Sequence, residues 1–154
     1  MALLTKARPY FHPQHMVMID IAKWLVPILC RGPGRSFHHF SPELVQTRLE
    51  LATNYLNVLE ITEPGLSKFR AKYLFEMIDT KMFLLSKDFN EGQLPPEPFK
   101  KELSEFTIKL NDVINILTLM GVSSPFEQMI LTKSSQLGKV CKELTTLDIC
   151  KPFS

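Results

Sequence analysis

A chain of 154 residues with 45% in the hydrophobic class and 22% charged has enough apolar material for one buried core but not for two full domains, and its mean hydropathy of +0.01 fits neither a disordered segment nor a membrane-embedded one. Net charge is only +2, and the five basic residues of the first 40 positions (Lys6, Arg8, Lys23, Arg31, Arg35), set against Asp20, are too dispersed for a nucleic-acid or anionic-membrane surface. Three cysteines, Cys30, Cys141 and Cys150, lie far apart without a Cys-x-x-Cys pair, which excludes a disulfide scaffold and a zinc-finger framework.

Glycine is scarce at 6, and the apolar set leans to Leu, Met and Phe, a balance that favours helices over strands. Residues 1–9 lack the apolar run and small-residue cleavage site of a signal peptide, and no uncharged run is long enough for a membrane span, so an intracellular location, cytoplasmic or nuclear, is expected. Pro13 fits a first helical turn, where its missing N–H costs nothing, and Met16, Val17, Ile19, Ile21, Trp24, Leu25, Ile28 and Leu29 follow it. The pattern predicts a first helix over about 13–30, which Pro27 should kink or end early. Arg31-Gly32-Pro33-Gly34-Arg35-Ser36 is a break. Ser41, Pro42 and Glu43 then read as N-cap, first helical residue and first-turn acid, and Val45, Leu49, Ala52, Leu56 and Leu59 recur at spacings of 4, 3, 4 and 3 in a second helix that ends near Thr62.

Glu63-Pro64-Gly65 is a stop signal. A third helix, over about 66–88, carries Leu66, Phe69, Tyr73, Leu74, Met77, Ile78, Phe83 and Leu85 on a broad face expected to be buried. Asn90 to Pro98, with Gly92 and the three prolines Pro95, Pro96 and Pro98, is expected to be an exposed loop. The fourth helix has the cleanest pattern, Phe99, Leu103, Phe106, Leu110, Val113 and Leu117, a heptad-like stripe that seeks an antiparallel neighbour. Gly121, Ser123, Ser124 and Pro125 close it and cap a fifth helix, whose expected core face is Phe126, Ile130, Leu137, Val140, Leu144 and Leu147, interrupted only by Lys133. The whole describes an all-α array of about five roughly antiparallel helices: an N-terminal extension over 1–12, a single helical domain over 13–148 and a C-terminal tail over 149–154. A tetratricopeptide period of about 34 residues finds no aligned Trp, Gly, Tyr and Ala positions, so the pairing of helices is at most repeat-like.

Several residue clusters invite a chemical reading, and each has a plainer structural one. His12 and His15 share the spacing of a metal-binding pair, but no Cys, Asp or Glu nearby completes a site, so loop and first-turn roles are expected. His38 and His39 are adjacent and point to different faces of any regular element. Gly32-Pro33-Gly34 lacks the strand before it and the Gly-Lys-Ser/Thr after it that a phosphate cradle needs. Cys141 falls on the core face of the fifth helix, whereas Cys30 and Cys150 stand at element ends, where partial exposure is expected. Trp24 and the phenylalanines at helical spacing read as core, and Glu102 with Glu105 as a solvated pair. No catalytic set assembles, and no metal or cofactor is expected.

The stretch from Tyr55 to Arg70, Tyr-Leu-Asn-Val-Leu-Glu-Ile-Thr-Glu-Pro-Gly-Leu-Ser-Lys-Phe-Arg, resembles a segment of the C-terminal helical region of SET and MYND domain-containing proteins, in their arthropod, msta-like branch. His12-Pro13-Gln14-His15 upstream and the stretch from Leu117 to Gln128 downstream are similar to flanking pieces of that region in the same order. The positions that carry the motif are His12, Pro13, Glu63, Pro64, Gly65, Ser67 and Arg70. Lys68, Phe69 and Ala71 depart from the usual arginine, leucine and glycine, and Leu74-Phe75-Glu76-Met77-Ile78 replaces a leucine-tyrosine-glutamate-leucine-histidine run. These changes keep an apolar helix while losing polar detail. The family's methyltransferase activity resides in a SET domain with an Asn-His pair at its S-adenosylmethionine site, and its MYND finger is cysteine-rich. This chain has neither feature.

The resemblance therefore implies a tetratricopeptide-like helical domain without the catalytic and zinc-binding parts. It implies a non-catalytic interaction or scaffold module for a protein partner, with no nucleic acid, membrane or metal engaged. Such a module should expose an apolar patch, with Phe37, Phe40 and part of the first helix as candidates. Two alternatives are a fragment of an S-adenosylmethionine-dependent protein-lysine methyltransferase whose catalytic part is missing, and a small helical bundle binding an apolar ligand between its helices.

Overall fold

The computed structural model describes Lys6, residues 9–31 and residues 34–147. Among these residues it forms five α-helices and no β-strand: α1 (Met16–Leu25), α2 (Pro42–Thr62), α3 (Lys68–Asn90), α4 (Pro96–Met120) and α5 (Pro125–Thr146), with a 3₁₀ turn at Phe37–His39. The protein is thus an all-α helical array. Its helices fall into two compact units, one ending at Gly65 and the other beginning at Leu66. In the first, α1 packs on α2; in the second, α4 packs on both α3 and α5. Cys150 and the 149–154 tail, Gly32 and Pro33 of the glycine-proline break, and all of the 1–12 extension except Lys6 and residues 9–12 lie outside the described residues.

In the first unit, α1 starts later than expected and ends early ahead of Pro27, as expected. It starts at Met16 because His15 acts as N-cap, its Nδ1 accepting from the Val17 N–H at 3.3 Å, while Pro13 lies in the preceding turn, closed by the His15 N–H on the His12 carbonyl at 2.8 Å. It stops at Leu25 because Pro27 has no N–H for the Lys23 carbonyl and its ring would collide with that group. The carbonyl of the C-cap residue Val26 has no intrahelical donor, and Arg48 of α2 supplies one: its Nε donates to the Val26 oxygen at 3.2 Å. A cation at a helix C-terminus also favours the helix dipole. The same guanidinium lies 5.1 Å from the Phe37 ring, so Arg48, fully buried, ties α1, the 3₁₀ turn and α2 together.

The start of α2 follows the sequence closely, with Ser41 Oγ accepting from the Leu44 N–H at 3.3 Å and Pro42 in the first turn. Its buried face is Val45, Arg48, Leu51, Ala52, Tyr55, Leu56 and Leu59, wider than the expected stripe, and Leu49 is only half-buried. Two expectations fail in this unit. Trp24 is 72% exposed rather than core, because α1 turns Met18, Ile19 and Ala22 inward instead. Cys30 is buried rather than at a partly open end, held in the left-handed region at φ 56°, and its burial pushes the thiol pKa up, an effect the Arg48 charge partly offsets.

In the second unit α3 starts at Lys68, since Ser67 caps it, accepting from the Arg70 N–H at 3.3 Å. Leu66 therefore precedes the helix and is exposed, and Phe69 is 49% exposed, against the expectation that both are core. Tyr73, Leu74, Met77 and Ile78 are buried as expected, while Phe83 and Leu85 are half-buried. The expected loop at 90–98 shrinks to 91–95, because α3 runs to Asn90 and Pro96 and Pro98 sit inside the first turn of α4. Prolines cost little there, since the first N–H groups of a helix have no acceptor of their own. Phe89 stacks on Phe99 across this connection with ring centroids 4.4 Å apart.

All six stripe residues of α4 are buried. On α5 the buried face is instead Ile130, Ser134, Gly138 and Cys141, with Val140, Leu147 and Lys133 exposed and Phe126, Leu137 and Leu144 half-buried. The face is rotated by about one residue from the apolar stripe. Burying the Lys133 ammonium would cost far more than burying the Ser134 hydroxyl, so the helix turns its small residues inward. Cys141 lies 3.9 Å from the Met82 sulfur of α3, and burial pushes its pKa up to about 11, in keeping with a small core residue.

Candidate functional site

The residues that carry the sequence motif are helix-end residues. His12 Nδ1 accepts from the Gln14 N–H at 3.2 Å, and His15 Nδ1 caps α1, so each imidazole bonds a neighbouring backbone N–H group. Pro13 shapes the turn between them. Glu63 is the C-cap of α2, its N–H on the Leu59 carbonyl at 2.8 Å; Gly65 takes φ 96°, a value for which a residue with a Cβ is poorly suited; and Ser67 and Arg70 open α3. His39 Nδ1 accepts from the Ser36 N–H at 3.1 Å and caps the 3₁₀ turn. Glu102 pairs with Lys81 at 2.7 Å while Glu105 is exposed. Among the described residues no group of three or more His, Cys, Asp and Glu could hold a metal ion, and no helix is long and apolar enough to cross a membrane.

Two features stand out, one on the first helix, which the sequence offered in part as an exposed apolar patch, and one that the sequence did not indicate. The first is α1, which is apolar on two sides. At about 100° per residue, the buried Met18, Ile19 and Ala22 fall on one arc, and Met16, Val17 and Trp24, all exposed, fall on the opposite one, broken only by Asp20. Tyr10, at 83% exposure, and Ile28, at 64%, extend the exposed apolar surface of this unit before and after the helix. Phe37 and Phe40, expected in the patch together with part of this helix, are half-buried, Phe37 beneath the Arg48 guanidinium.

The second is a cleft in the other unit, with a volume of about 250 Å³, where the first turns of α3 and α5 meet the end of α4. Phe69, Leu117, Phe126 and Ile130 form its apolar walls, and Lys68, Lys72, Ser124 and Glu127 its polar rim. Ser124 caps α5, accepting from the Glu127 N–H at 3.2 Å, and Glu127 reaches back to accept from the Ser123 N–H at 2.8 Å, a reciprocal arrangement like a capping box. Lys68 Nζ closes the group, 2.9 Å from Ser123 Oγ and 3.1 Å from Glu127 Oε2. The Ser123 N–H first, then the Lys68 ammonium, hold the Glu127 carboxyl below its usual range, against the opposing effect of burial. The Lys72 ammonium lies 5.1 Å from the Phe126 ring centroid and 5.4 Å from that of Tyr73.

No protein-family model, curated protein or solved structure matches this chain. The geometry alone therefore carries the functional argument. The cleft could have been suspected from Ser124-x-x-Glu127 together with two lysines one helical turn apart, Lys68 and Lys72, but those residues lie more than 50 positions apart and only packing joins them.

Proposed function

We propose that the chain is a non-catalytic helical interaction module that binds a protein partner through the outward apolar face of α1. What supports this is a single observation: a helix with Met18, Ile19 and Ala22 already buried still presents Met16 and Trp24, each 72% exposed, on its other side. A helix apolar all round belongs in an interior, and an exposed aromatic anchor beside aliphatic side chains is the composition of an interface core. The reading accords with the resemblance to the C-terminal helical region of SET and MYND domain proteins, in which such helices wall one side of the substrate cleft and contact partners.

The test is site-specific photo-crosslinking in cells from a benzophenone amino acid at position 24, with one at the exposed, polar position Glu105 as reference. The expected result is one discrete adduct from position 24 only, abolished by Met16→Lys. Adducts of equal pattern from both positions, or an adduct indifferent to Met16→Lys, would sink the proposal.

A further inference from the structure

We propose that the cleft between α3, α4 and α5 is a binding site for a small neutral aromatic ligand of two fused rings, seated among Phe69, Leu117, Phe126 and Ile130. The site belongs to a different unit from the α1 face and does not depend on the interaction reading. Size bounds the ligand. An apolar cavity of roughly 150 Å³ takes one benzene ring and pockets for drug-sized ligands begin at roughly 300 Å³, so a volume of about 250 Å³ suits a bicyclic ring system and little more. Two of the four apolar walls are phenylalanines, against which a flat ring packs offset or edge to face. Leu117 and Ile130 are buried, so that part of the site is pre-formed by the core, whereas Phe69 is 49% exposed. A ligand therefore covers aromatic surface that the fold itself leaves in water.

Charge excludes an ionic ligand. At the rim the Lys68 ammonium and the Glu127 carboxylate pair at 3.1 Å, and Ser123 bonds both. Lys72 is engaged as well, lying over the Phe126 and Tyr73 rings and interacting beyond them. A carboxylate or ammonium drawn between the apolar walls would lose its water without meeting an open counter-charge. A neutral ring loses little on leaving water, and the rim pairs stay intact.

The experiment is titration of the isotope-labelled chain with indole, followed by amide NMR shifts. Tryptamine and indole-3-acetate serve as cationic and anionic forms of the same ring, and N-acetyltryptophanamide as a peptide-borne one. The expected result is saturable shifts at Phe69, Leu117, Phe126 and Ile130 with indole, and binding about tenfold weaker for both charged forms. Phe69→Ala, at a half-exposed position, should weaken indole about tenfold through the loss of one aromatic wall while keeping the dispersed amide spectrum of the parent. Ile108→Ala, exposed on α4 outside the cleft, should leave indole binding unchanged. Absence of saturable shifts at those four amides, or equal shifts at the exposed Met16 and Trp24, overturns the site. Either charged form binding as tightly as indole overturns the neutral assignment. N-acetyltryptophanamide binding more tightly than indole would assign the cleft to an aromatic side chain of a protein partner and overturn the small ligand.

Discussion

Gly138 lies in the middle of α5, on its buried face, at a position where every helical consideration favours another residue. A Cβ built on it meets no atom within 4 Å, so the space for a methyl group is already present. Gly138→Ala removes the excess backbone entropy that glycine loses in a helix, about 1 kcal/mol, and adds a little buried apolar surface without displacing a neighbour. The expected stabilisation is about 1 kcal/mol, a rise in Tm of about 2–4 °C for a chain of this size. Gly65→Ala provides the internal contrast. It has equal space around it but sits at φ 96°, so the same methyl group should destabilise through backbone strain. Urea titration followed by circular dichroism reads both variants, with the thermal melt as a second measure. A destabilised Gly138→Ala would mean that a neighbouring helix approaches α5 more closely than described, and would refute the rotated α5 face on which the packing of the second unit rests.

Three further outcomes follow from the same packing. Leu110→Ala, fully buried on α4, should cost about 2–5 kcal/mol, whereas Ile108→Ala, two residues away and exposed, should change stability by less than about 0.5 kcal/mol in the same urea assay; similar costs would place the α4 face wrongly. Because the folded pKa of Glu127 is depressed, its contribution is present above the unfolded carboxyl pKa and is lost as pH falls through the folded value. Glu127→Gln should therefore be less stable than the parent at pH 7, and the gap should close in acid, with a pH-independent gap as the contrary result. In a Cys150→Ser background, Cys141 with its pKa near 11 and the buried Cys30 should react with a disulfide reagent at pH 8 only as fast as the chain unfolds; rapid modification of the native protein would contradict their burial.

The parts of the fold legible in the sequence are those where local chemistry and packing agree. Ser41-Pro42 and Ser124-Pro125 mark helix starts because the side-chain oxygen and the fixed proline φ act within one turn. The α4 stripe is legible because large apolar residues occupy every core position from Phe99 to Leu117. The α5 face is not, because Ser134, Gly138 and Cys141 are small and carry no periodic signal, while the apolar Val140 and Leu147 lie outside it. Prolines mislead when counted rather than placed: Pro27 ends α1, but Pro96 and Pro98 begin α4. Arg48 is hidden because its partner, the Val26 carbonyl, becomes available only once Pro27 has ended α1. The cleft residues come from the ends of three helices, and no pattern along the chain links Phe69 to Phe126.

The proposed function rests on the outward face of α1 being open to solvent in the free chain and covered in a complex. Trp24 is the chain's one tryptophan and lies on that face, so its fluorescence reports the face without interference. The most direct measurement is iodide quenching of that emission in the purified chain, alone and after addition of the partner identified by crosslinking. The account predicts efficient quenching of the free chain and strong protection, with a blue-shifted emission, in the complex. Protection of Trp24 in the free chain, or no change on complex formation, would contradict it.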